Sequence, residues 1–73
     1  MITHKCELTR HDGHTETRNA AVSHDAPDSV LAYQAALRFK GLDAETADMT
    51  VFSSGEIELV WGSGSRLFIG LGV

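Results

Sequence analysis

The sequence predicts a two-layer α+β domain, one helix packed on an antiparallel sheet of about five strands in the order ββαβββ. Three observations carry this prediction. Apolar residues recur with period two before residue 25 and after residue 48, the alternation of half-buried strands. Between them, residues 25–41 open on Asp25-Ala26-Pro27-Asp28 and close on Gly41 after Arg38 and Lys40, the start and stop chemistry of a helix. Three short segments with glycine in third place, His11-Asp12-Gly13, Ser53-Ser54-Gly55 and Gly62-Ser63-Gly64, stand where the chain must reverse. Glycine there supplies the positive φ of a bulged three-residue hairpin loop.

The first strand is expected over Ile2–Arg10 and the second over His14–Ser23. A two-residue Asp-Gly turn would set Val22 beside Thr3, on the face opposite Ile2. A three-residue loop with Gly13 left-handed instead sets Ile2 opposite Val22 and His4 opposite Ala20, and so keeps the apolar side chains together. The helix follows, with Asp25 as N-cap, Pro27 in the first turn, Asp28 adding favourable charge and Gly41 as the stop, a span of about 15 residues. Strands over Met49–Phe52, Glu56–Trp61 and Ser65–Val73 complete the chain. Their loops send Met49, Val51, Ile57, Leu59, Trp61, Leu67, Ile69, Leu71 and Val73 to one side, the expected core. The sequence leaves open whether the first strand pairs with the third or the fifth.

Length and composition bound the function. The 73 residues form one domain, 1–73, and so short a chain has little room for an enclosed active site. One cysteine makes no internal disulfide, which favours a reducing compartment. The absence of a long apolar run or signal-peptide core leads to the expectation of a soluble, cytoplasmic protein with no membrane partner. Residues 1–24 balance Lys5, Arg10 and Arg18 against Glu7, Asp12 and Glu16, whereas residues 25–73 set seven acids against Arg38, Lys40 and Arg66. The net charge of -4 therefore sits in the second part. With no basic cluster, direct nucleic-acid binding is disfavoured, and a protein with a basic surface is the natural counterpart.

Two surfaces stand out. On the helix, Val30, Tyr33 and Leu37 form one stripe and Leu31, Ala35 and Phe39 another, nearly opposite. Both cannot face one sheet. Leu31, Ala35 and Phe39 are taken as the outer stripe, open to self-association unless a twisted sheet or the Leu42–Ala47 loop covers them. On the outer face of the last strands, Phe52, Val60 and Phe68 fall among Glu56, Glu58 and Arg66, with Phe68 beside Glu58 and Phe52 beside Glu56. Aromatic anchors ringed by carboxylates suit a basic protein partner. Asp43, Glu45 and Asp48 add an acidic loop as a second contact.

Catalytic, cofactor and metal chemistry are not expected. His11-Asp12-Gly13-His14 places two imidazoles at a hairpin tip, but turn chemistry accounts for Asp12 and Gly13 and no four-ligand shell is in view. Cys6 shares the inner face with His4 without a third catalytic group. Gly62-Ser63-Gly64-Ser65 opens no helix and so is no phosphate loop.

In size, in the helix running from Asp25-Ala26-Pro27-Asp28 to Gly41, and in the strands joined by Ser53-Ser54-Gly55 and Gly62-Ser63-Gly64, the chain resembles the compact inhibitors encoded by phages and mobile elements, anti-CRISPR proteins among them. The resemblance covers the whole chain in outline and no part by motif. It implies a non-enzymatic inhibitor that blocks a basic surface of a nucleic-acid-handling host complex, such as a CRISPR–Cas subunit. The alternative expectation is a homodimeric accessory or structural protein joined through the outer helix stripe or a sheet edge.

Overall fold

A computed structural model describes all residues from Met1 to Val73. Strands β1 (Ile2–Thr9) and β2 (Thr15–Val22) precede helix α1 (Asp28–Leu37), a 3-10 turn (Ala44–Thr46), and strands β3 (Asp48–Val51), β4 (Ile57–Val60) and β5 (Arg66–Gly72). The sheet order is β2-β1-β5-β4-β3, every neighbouring pair antiparallel. The first strand thus pairs with the fifth, and β2 and β3 are the edges.

The hairpin registers are those the loops predict. Ile2 stands opposite Val22 and His4 opposite Ala20, and Phe68 stands opposite Glu58. Gly13, Gly55 and Gly64 have φ of 90°, 96° and 98°, the left-handed third position of a bulged loop. In each loop the glycine N–H donates back to Arg10, Phe52 or Trp61.

The helix is shorter than expected, 10 residues, and its N-cap is Pro27 rather than Asp25. Sterics explain the shift. A residue before proline is driven from the α region, so Ala26 cannot begin a helix. Its N–H instead closes a turn onto Ser23 at 3.0 Å, and the Pro27 carbonyl accepts from Val30 and Leu31. Helical winding loosens after Leu37, where Arg38 and Phe39 donate three residues back, and Gly41 at φ 79° turns the chain away.

The orientation of the helix is the reverse of the expected one. Leu31, Ala35 and Phe39 are buried against the sheet with Ala32 and Ala36, while Val30, Tyr33 and Leu37 are exposed. Phe39 is buried, and the guanidinium of Arg18 on β2 lies over its ring, 6.0 Å from the centroid, a favourable cation–π distance. Arg38 Nε donates to the Asn19 carbonyl at 3.0 Å, tying the same end of the helix to β2.

Cys6, Leu8, Ile57, Leu59, Trp61, Leu67 and Ile69 fill the inner side of the sheet. Four residues assigned to that core are not buried in it. Met49 and Val51 share the inner face, opposite Leu59 and Ile57, but remain 45% exposed because the short helix sits chiefly toward β2 and does not reach the β3 side. Leu71 and Val73 follow a β-bulge. Cys6 pairs with Ile69 but His4 with Gly72, so one extra residue in β5 reverses the phase. Val73 exchanges bonds of 3.1 and 3.0 Å with Thr3, on the outer side.

Candidate functional site

Parity builds the outer face. Glu7, Phe68, Glu58 and Thr50 lie in one row across β1, β5, β4 and β3, and Phe52, just past β3, pairs with Glu56 through a bond of 2.8 Å from its N–H to the Glu56 carbonyl. Side chains on diagonal cross-strand positions are within aromatic reach. The rings of Phe52 and Phe68 are 6.5 Å apart, tilted by 42°, and stay 41% and 36% exposed. Two phenylalanines thus form a shallow apolar island on a sheet face that also carries Val60, Leu71 and Val73.

Carboxylates and cations share this face, Arg66 standing two residues from Phe68 and Lys5 two from Glu7. The ion pairs of the molecule, Lys5–Glu7, Arg10–Glu16 and Arg18–Glu16, all lie in the first hairpin. Glu56, Glu58, Asp43, Glu45 and Asp48 pair with no cation. Glu56 accepts only the Ser54 hydroxyl, at 2.8 Å. Unpaired carboxylates beside an apolar contact give long-range attraction for a basic surface and contact area once it arrives.

The structure does not bring all the expected contacts together. Phe52, Glu56, Glu58 and Phe68 form one cluster. Asp48 lies at the far end of β3, opposite Val60. The Asp43 carboxylate caps the 3-10 turn by accepting the Glu45 N–H at 3.0 Å, and its carbonyl accepts Trp61 Nε1 at 2.9 Å. Asp43 therefore shapes the loop that carries Glu45, which faces the helix side. Leu31, Ala35 and Phe39, expected to mediate self-association, are buried within the chain and present nothing to a second copy.

A feature missed from sequence lies between α1 and β3, where a groove of about 560 Å³ is lined by Val30, Tyr33, Ala44, Glu45, Met49 and Leu59. Period two told which way Met49 points. It did not tell that the helix ends short of it.

The chemical groups considered from sequence are held by local structure. His14 donates its N–H to Asp12 Oδ1 at 2.9 Å, a bond that holds the Asp12 carboxyl below its ordinary range. No group of three or more His, Cys, Asp or Glu side chains stands close enough to hold a metal ion. His4 Nδ1 bonds the Gly70 carbonyl at 2.8 Å, its ring resting where Gly72 has no side chain. Cys6 Sγ donates to the His4 carbonyl at 3.6 Å, and burial pushes its thiol up to about 11, the opposite of an activated nucleophile. No helix is long and apolar enough to cross a membrane.

Comparison with protein-family models, with curated proteins and with solved structures finds no significant match for this chain.

Proposed function

We propose that this chain is a non-enzymatic protein-binding module that engages a basic surface of a larger partner through the outer face of its sheet. The observation that carries the reading is the exposed Phe52–Phe68 pair beside Glu56 and Glu58, neither of which has a cation partner within the chain. Aromatic side chains in a solvated position forgo burial free energy, and a partner recovers it. The resemblance in outline to phage-encoded inhibitors directs the search for that partner to nucleic-acid-handling complexes, CRISPR–Cas subunits included, whose basic grooves an acidic protein can occupy in place of phosphates.

The test is capture of partners from a lysate of the source organism with wild-type bait and with Glu56→Lys/Glu58→Lys bait. Proteins held by the first and lost by the second, with unchanged circular dichroism, support the reading. Identical captures by both baits remove this face from contention.

A homodimer is the second reading, favoured by the exposure of Val30, Tyr33 and Leu37 along the solvent side of α1. Sedimentation at micromolar concentration separates the two, because a strict monomer leaves this stripe without a self-partner.

A further inference from the structure

The two sheet edges differ in how they are closed. In an antiparallel ladder, successive residues direct their backbone groups alternately toward and away from the neighbouring strand. On β2, Arg10 N donates to the His14 carbonyl, so Thr17 and Asn19 direct theirs away from β1. Thr15 and Ala21 face outward with them; side chains take two of these four carbonyls, that of Asn19 by Arg38 Nε at 3.0 Å and that of Thr17 by Arg18 at 3.0 Å. On β3, Phe52 N donates to Glu56, so Thr50 faces β4, while Met49 and Val51 direct their N–H and C=O groups outward. No side chain closes that edge.

Met49 and Val51 are also the two half-exposed apolar residues on the inner face. An open backbone edge and an apolar groove therefore meet at Met49, with Val51 next along the same edge. We infer that β3 accepts an extended segment of a partner protein as a sixth, antiparallel strand. Residues opposite Met49 and Val51 would exchange backbone hydrogen bonds with them and place their side chains on the inner side, in the groove bordered by Val30 and Tyr33. Alternate residues would lie on the outer side, along Asp48, Thr50 and Phe52.

Charge selects the occupant. Asp48, on the outer row that the alternate residues would follow, lacks a cation partner in the chain, so the segment that fits alternates apolar with basic side chains. A second copy of β3 fits poorly, since it would align two chains of net charge -4 with an Asp48 from each on one seam, and like charges on paired strands destabilise. This inference shares Phe52 and the β3 register with the Phe52–Phe68 reading but rests on the backbone edge at Met49 and Val51, not on the aromatic pair.

The probe is a fluorescein-labelled heptapeptide of alternating lysine and valine, titrated by fluorescence anisotropy. Two N-methylated versions discriminate. Methylation at the valines removes the N–H groups that face β3, whereas methylation at the lysines alters groups that face solvent. Expected is binding by the parent and lysine-methylated peptides, weakened at least about tenfold by valine methylation, the scale of one or two lost hydrogen bonds. Val51→Pro removes an outward N–H while sparing the ladder to β4, and the same loss is expected with unchanged circular dichroism. If that variant misfolds, the peptide pair alone decides. Equal affinity for the two methylated peptides, no binding by the parent peptide, or a dimer that Val51→Pro abolishes would each overturn the inference.

Discussion

Trp61→Ala tests how the acidic loop is held to the sheet. The indole is buried on the inner face at the end of β4, and its Nε1–H donates to the Asp43 carbonyl at 2.9 Å, so one side chain both fills the core and anchors the 3-10 turn. Truncating a buried tryptophan costs about 3–5 kcal/mol. A 73-residue domain has about 4–11 kcal/mol of total stability, so Trp61→Ala removes about a quarter of it or more. Trp61→Phe retains most of the apolar contact and loses the donor, for which about 0.5–1.5 kcal/mol is expected. Urea unfolding followed by far-ultraviolet circular dichroism measures both variants, because Trp61 is the only tryptophan and its fluorescence goes with it. A Trp61→Ala chain within about 0.5 kcal/mol of wild type, the range of ordinary surface changes, would refute both the inward register of β4 and the anchoring role.

Three further outcomes follow from the packing and the charges. A Cβ at Gly72 would overlap Ile2 Cγ2 and come within 2.9 Å of His4 Cε1, so Gly72→Ala should cost about 1–3 kcal/mol, and adding Ile2→Ala should relieve part of that in a double-mutant cycle. The Arg10 guanidinium bonded to Glu16 holds its carboxyl below the ordinary value. Its stabilising contribution is complete above the unfolded-state pKa of about 4.3 and is lost as pH falls through the lower folded-state value. Glu16→Gln should therefore flatten the acid limb of stability against pH and leave the neutral region's slope unchanged. Cys6, buried with its thiol raised to about 11, should react with iodoacetamide at about pH 8 far more slowly in the native chain than in guanidinium chloride, and equal rates would show that it is accessible.

Most of the architecture was legible because turn chemistry and period two are local signals. His11-Asp12-Gly13 fixed Ile2 opposite Val22, and Ser53-Ser54-Gly55 placed Phe52 against Glu56, which put the aromatic island on the outer face before any coordinates. What failed depended on coverage or on breaks in local order. Two opposed apolar stripes on the helix left sequence spacing a poor guide to its rotation, and the expected outer stripe of Leu31, Ala35 and Phe39 is the buried one. Met49 and Val51 had the right phase for a core without a helix above them. The bulge before Gly72 arises where Ile2 and His4 crowd a residue lacking Cβ, a contact between the two chain ends that no sequence window contains. The open β3 edge depended on the order β2-β1-β5-β4-β3, which the sequence left undecided.

Hydrogen–deuterium exchange by NMR reads the alternation on β3 residue by residue, and both proposed surfaces depend on it. Thr50 and Phe52, whose amides face β4, are predicted to be protected, while Met49 and Val51 exchange nearly as fast as an unstructured peptide. Protection at Met49 and Val51 with rapid exchange at Thr50 and Phe52 would mean a one-residue slip, turning Phe52 toward the helix and closing the edge offered to a partner.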